Sequence, residues 1–238
     1  MRDLKMKKLF TLLMLACTMS VSAQNIQLHY DFGRNFYSDQ ESSRQKMTMT
    51  IEQFKADQWG SWFYFVDLDF SRHFVEGAYT EVSREINIKK ESPFAVHVEY
   101  DGGLTRNYAF QQAALLGAAY NGHSADFSKT WSVQLLYKQY FSNEDIHSYA
   151  SAQLTGVWGL NFLNNKLRFS GFIDFWRGEN SNNGHGMLVM LTEPQLWYNI
   201  NDHLSVGTEI EVSNNFITNF YDGKTFFVNP TLGVKWNL

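Results

Sequence analysis

Leu204-Ser205-Val206-Gly207-Thr208-Glu209-Ile210-Glu211-Val212-Ser213 reads as two interleaved sequences. Leu204, Val206, Thr208, Ile210 and Val212 fall on one phase, Ser205, Gly207, Glu209, Glu211 and Ser213 on the other. After a polar run over 214–219 and an Asp222-Gly223 turn signal, the alternation resumes. Phe226, Val228, Pro230, Leu232, Val234 and Trp236 oppose Phe227, Asn229, Thr231, Gly233, Lys235 and Asn237. Successive side chains of a strand point to opposite faces, so this is a hairpin with one greasy and one wet side. The wet side carries charges and is no dry core. In a chain that opens like a secreted one, the economical fold is an all-β, antiparallel transmembrane β-barrel, with lipid outside and a polar lumen inside.

The opening is Met-Arg-Asp-Leu-Lys-Met-Lys-Lys, then an apolar run from Leu9 to Val21, then Val21-Ser22-Ala23 before Gln24. A basic start, a short apolar stretch and small residues at the cut describe a secretory signal peptide over 1–23. The apolar run is short for a membrane anchor. Cys17 after Leu15-Ala16 resembles a lipoprotein box, with Met14 where such a box prefers Leu; uncleaved and lipidated N-termini are the alternatives. Cleavage removes four cations and one anion, which takes the formal charge from −4 to −7. An acidic mature chain argues against nucleic acid as a partner. The only cysteine leaves with the signal, and disulfides and thiol catalysis with it. Residues 24–238 are about one domain in length. Mean hydropathy is negative and no later run approaches a membrane helix, but alternation hides a barrel from such averages. Aromatics at 16% exceed ordinary soluble usage, and only 3 prolines suit many uninterrupted strands.

The same alternation recurs upstream. Ile26, Leu28, Tyr30 and Phe32 form a first apolar phase that ends at Gly33, and 34–46 is a polar loop. Met47, Met49 and Ile51 alternate with Thr48, Thr50 and Glu52. Trp62, Tyr64, Val66, Leu68 and Phe70 oppose Phe63, Phe65, Asp67 and Asp69. In the next strand Arg84 falls on the apolar phase, which implies a snorkelling side chain or a bulge. Phe94 to Asp101 alternates up to Gly102-Gly103. The stretch 108–120 holds helix formers without a strict period; a strand is expected there, an internal helix being the alternative. Strands follow around Trp131–Lys138, Ala150–Trp158, Leu167–Trp176 and Met190–Asn199. The count is about 12 strands of roughly ten residues, enough to cross a bilayer when tilted. Short turns such as Asn164-Asn165 and Asn201-Asp202 belong on the periplasmic side, longer loops such as 34–46, 71–78 and 178–186 outside.

Four segments carry a resemblance. They are Trp59-Gly60-Ser61-Trp62-Phe63-Tyr64-Phe65-Val66-Asp67, Glu81-Val82-Ser83-Arg84-Glu85-Ile86, Phe169-Ser170-Gly171-Phe172-Ile173-Asp174-Phe175-Trp176, and Leu232-Gly233-Val234-Lys235-Trp236-Asn237-Leu238. In order and approximate spacing they are similar to the nucleoside-specific channel (Tsx-like) family of outer-membrane proteins. That resemblance implies a monomeric twelve-stranded barrel with a narrow polar and aromatic lumen, in a Gram-negative-type outer membrane. It also implies passive uptake of nucleosides and deoxynucleosides, and the function expected is a channel for small polar solutes, nucleosides first among them. The other partners expected are outer-membrane lipid and the barrel-assembly machinery. The chain ends in Leu238 where assembly signals prefer an aromatic, with Trp236 nearest.

The expected lumen-lining, solute-contacting residues follow from the wet phase. They comprise the carboxylates Glu52, Asp67, Asp69, Glu81, Glu85, Glu99, Asp174, Glu193, Glu209 and Glu211. Lys138, Arg168 and Lys235 supply the cations, and Phe63, Phe65, Phe172 and Trp176 the aromatics. Carboxylates can hydrogen-bond sugar hydroxyls, and aromatic faces stack any base; the plainer reading is a wall that is simply polar and filled. Carboxylate pairs can also do acid–base work or hold calcium. The 7 histidines show no metal-helix spacing and there is no Gly-x-Ser-x-Gly, so no catalysis, metal or cofactor is expected. Rival readings are a plugged structural or binding barrel, a barrel enzyme acting on lipid, and a soluble lipocalin-like barrel with its apolar phase inward.

Overall fold

The structure is a computed structural model that describes residues 25–72, 74–90, 92–143, 147–179, 185–217 and 225–238. The signal-peptide expectation, Cys17 and the Asp222-Gly223 turn lie outside the described residues.

Alternation along the chain becomes thirteen strand segments: β1 (Asn25–Asp31), β2 (Met47–Asp57), β3 (Gly60–Phe70), β4 (Val75–Asn87), β5 (Phe94–Thr105), β6 (Ala113–His123), β7 (Lys129–Tyr140), β8 (Tyr149–Phe162), β9 (Leu167–Glu179), β10 (Gly186–Thr192), β11 (Gln195–Asn199), β12 (Leu204–Asn214) and β13 (Phe226–Asn237). Each pairs antiparallel with its neighbours, and β1 pairs with β13 from Asn25↔Asn237 to Asp31↔Thr231. That pairing closes the sheet and leaves no free edge strand among the described residues. β10 and β11 both lie between β9 and β12 and keep one register, so they are halves of a single stave in a 12-stranded barrel.

The break is Glu193-Pro194. Proline has no N–H to give the ladder. Opposite it stands Gly171 at φ +153°, where a Cβ would lie 2.5 Å from the Glu193 carbonyl oxygen. Trp158 lies over the same glycine. Replacing Gly171 with valine forces this strained backbone onto a branched residue and should cost about 1–3 kcal/mol. Urea unfolding of the refolded barrel checks it; an unchanged midpoint would refute the account.

Burial is inverted relative to a soluble domain. Gln27, His29, Asp101, Lys138, Gln153, Glu211, Asn229 and Lys235 are buried, while Val98, Leu116, Leu135, Leu154 and Val234 are exposed. Apolar side chains in the middle of the wall point outward. Near the short-turn end, Trp62, Phe94, Tyr120, Trp131, Tyr198 and Trp236 are exposed as an aromatic girdle. Such a surface suits hydrocarbon and headgroups, and it rules out the lipocalin-like reading. The fold is that of an outer-membrane barrel.

Several expectations need correction in detail. β1 stops at Asp31, and Gly33–Phe36 is a short helical turn, α1. β5 runs through Gly102-Gly103 to Thr105, because β4 keeps pairing with it. Residues 113–123 are strand, and the helix alternative falls. Arg84 does point outward, at the turn end, where it pairs with Asp57 at 2.8 Å over the Trp62 ring. The bulge occurs elsewhere, at Asp69/Phe70. In the exposed turn after β6, the Ser124 and Ser128 hydroxyls hold Asp126 down at about 2.

Candidate functional site: the lumen wall

Sixteen of the seventeen expected residues share the strand phase of the buried polar side chains, Glu193 lies between β10 and β11, and the set does not form one constellation. They divide by height and side.

At the loop end, the segment after β1 folds back against the wall. α1 turns the chain, and Gly33 donates its N–H to Asp31 at 2.6 Å. The returning chain brings Glu41 and Arg44 inward. Arg44 meets Glu211 of β12 through two hydrogen bonds, Nη1 at 3.2 Å and Nη2 at 2.9 Å. It also meets Asp31 at 2.9 Å and Glu41 at 3.7 Å. Asn229 of β13, 0% exposed, donates to Glu41 at 2.8 Å and to Glu211 at 3.0 Å. Tyr37 packs edge-on against the buried Phe227. Burial pushes Glu41 up, while the Arg44 charge and the Asn229 amide pull it back. For Arg44 burial works against the charge, but Glu211 and Asp31 outweigh it and hold the guanidinium protonated. The loop expected to lie wholly outside is therefore latched to the lumen wall. Its residues Glu41 and Arg44 were missed; the only local signal was an i,i+3 acid–base spacing in a polar stretch.

Two groups face each other lower down. On the β4–β9 side, Lys138 pairs with Asp101 at 2.9 Å, donates to Gln153 at 2.9 Å and lies 5.3 Å from the Trp176 ring centroid. Asp174 accepts from Thr155 at 2.5 Å. Glu81 accepts from the Tyr79 hydroxyl at 3.0 Å, and Glu99 meets His97 at 2.9 Å. On the other side, Glu209 accepts from Gln195 at 2.5 Å, and Gln195 accepts from the buried Trp197 indole at 2.9 Å. Lys235 lies over that indole, 4.1 Å from its centroid. Asp67 accepts from Thr50 at 2.5 Å, Asp69 from Thr48 at 2.6 Å, and Glu52 from Asn25 at 3.1 Å. Glu193 stands in the stave break beside Pro194, across the β9 ladder from Phe172. His29, 3% exposed, bridges Thr231 and Gln27 at 3.0 Å each. Thr231 Oγ1 also accepts from the Glu209 N–H at 3.1 Å, which ties this imidazole–hydroxyl pair into the β12–β13 wall.

Glu85 lies toward the turn end with His97, Asn121 and Gln134 around it. Arg168 is there too, 3.2 Å from Asn161. The aromatics form a ladder up one side: Phe63 to Phe65 at 6.1 Å, Phe65 to Tyr79 at 6.0 Å, Tyr79 to Phe110 at 5.9 Å. Tyr79 and Phe110 were not anticipated. Asp101 was missed as well, because the glycines after it read as the end of a strand.

Comparison with solved structures returns porins. The NanC porin superposes with a TM-score of 0.59 at 12% identity, covering 90% of this chain and 99% of that one. The KdgM porin in complex with disordered oligogalacturonate gives 0.51 at 12% identity, covering 90% and 98%. At these identities the likeness is one of fold. No curated protein sequence matches significantly. A family model described as Domain of unknown function (DUF5020) matches residues 23–238.

Proposed function

We propose that this chain, which belongs to the DUF5020 family, is a passive channel for small polar solutes across the outer membrane, with nucleosides the first solute class to test. The observation that carries the reading is the inverted wall. A closed barrel that turns hydrocarbon-compatible residues outward and keeps carboxylates, amides and hydroxyls inside suits a polar path through lipid. The need for a cofactor or an energy source does not arise in such a path. Nucleosides suit the lining because the Phe63–Phe65–Tyr79–Phe110 ladder supplies faces for a base. Asp67 and Glu81 beside that ladder supply acceptors for sugar hydroxyls. The acidic chain bound by the KdgM porin fits this wall less well, since such a polymer would run along carboxylates.

Conductance of the refolded protein in a planar bilayer tests this. Steady single-channel steps are expected, with nucleosides reducing the current. Substituting Phe65 and Tyr79 with alanine should weaken that block by about tenfold, the loss of one stacked face. Steps without block would discard nucleosides and keep the channel. A folded protein without steps would favour the plugged barrel, for which the latched loop after β1 is the supporting feature.

A further inference from the structure

The carboxylates on the β4–β5 pair have more oxygens than the wall has donors for them. Glu81, Glu99 and Asp101 each bring an oxygen within 4.8 Å of the other two. Register explains the meeting: Glu81 is directly opposite Asp101, and Glu99 lies two residues before Asp101 on the same inward phase. Tyr79 occupies one oxygen of Glu81, His97 one of Glu99 and Lys138 one of Asp101. Each carboxylate keeps a second oxygen. Among the described residues no N–H or O–H group donates to the buried Asp101 Oδ1, on a side chain only 7% exposed, and the Glu99 carboxyl lies within hydrogen-bonding reach of Asp101. A buried carboxylate oxygen without a donor is costly and calls for a positive partner.

Lys138 is the cation that the wall itself provides, and it is already shared with Gln153 and with the rings of Tyr140 and Trp176. His97 is shared between Glu85 and Glu99. Asp174, on the same side, has Thr155 as its donor. The local balance stays negative, in residues 24–238 whose formal charge is −7. Three carboxylates with no nitrogen or sulfur donor among them are a hard-cation ligand set.

We propose that Glu81, Glu99 and Asp101 form a cation-binding station in the lumen wall, taking a hard divalent cation of the calcium type, and that this station makes the passage favour cations over anions. The selectivity half rests on the channel reading above; the binding half does not. A fixed cluster of one sign in a narrow, low-dielectric path raises the local concentration of counter-ions. The same cluster raises the barrier to acids.

Terbium luminescence tests the binding in folded barrels in detergent, since Tyr79 lies beside Glu81 and can sensitise a bound lanthanide. Expected is a saturable signal that calcium displaces and that Glu81→Gln/Glu99→Gln/Asp101→Asn weakens at least tenfold. Lys138→Gln, which removes the competing ammonium, should tighten it. A wild-type barrel with no saturable emission overturns the proposal, as does emission that neither variant changes. Should the triple variant fail to fold, the Lys138→Gln titration still decides. Reversal potentials in a potassium chloride gradient then read selectivity: a several-fold preference for potassium is expected, reduced in the triple variant. Steps that are unselective or anion-selective overturn the selectivity half and leave the channel standing. Absent steps with intact terbium binding remove the channel reading and leave the cation station.

Discussion

Leu135→Arg is expected to destabilise the barrel by about 2–4 kcal/mol in lipid, the cost of a cation on the hydrocarbon face near mid-membrane. Leu135 lies in the middle of β7, is 65% exposed, and faces outward between the aliphatic neighbours Ala118 and Leu154. In water, an arginine at so open a position is nearly neutral. The two environments therefore give clearly different results for one substitution. Reversible unfolding in lipid vesicles measures it, with Lys129→Arg at the turn end as a control expected to change little. Equal, small effects at both positions would mean that the apolar face is not embedded in a bilayer.

Arg44→Ala should open the lumen at its loop end. The guanidinium joins Glu41, from the loop after β1, to Asp31 and Glu211 on the wall. Removing one partner from a buried pair costs about 3–5 kcal/mol, and roughly 1–3 kcal/mol is appropriate for a side chain that is 24% exposed. The three carboxylates left behind repel one another. Moving the loop away relieves that repulsion at little expense to the barrel, whose strands do not need Arg44 to pair. Single-channel conductance should rise about twofold or more as the path widens. Arg44→Lys should fall between, because an ammonium cannot reproduce the paired contact with Glu211. An unaltered conductance in Arg44→Ala would show that the loop does not narrow the path.

The barrel was legible because its code is local. Period-two alternation needs no knowledge of partners, and Leu204–Ser213 displays it without interruption. Errors arose where a long-range partner overrode a local sign. Gly102-Gly103 looks like a stop, yet β4 continues to pair with it, and the Tyr100 and Phe110 rings lie over the two glycines. Pro194 sits within an expected strand and in fact divides it, a cost that Gly171 on the adjacent stave absorbs. The latch was illegible for a stronger reason: Arg44 and Glu211 are 167 residues apart, and no periodicity links a loop to a wall. Alternation separates the side chains that turn into the barrel from those that turn out. Which of them meet one another depends on register and stagger, and these emerge only when the sheet closes.

Closure of β1 on β13 also has a consequence for how the molecule comes to exist. The first stave and the last are each other's hydrogen-bonding partners, so the ring is completed by the contact of longest sequence separation in the whole sheet. Loop-closure entropy must be met before that contact repays it, which makes ring completion intrinsically slow. Until β13 arrives, every intermediate is an open ribbon with two bare edges and a greasy side, the shape most prone to self-association. The membrane-embedded form cannot be assembled hairpin by hairpin and left half-made. The hazard ends only when the first and last strands meet and their bare edges satisfy each other.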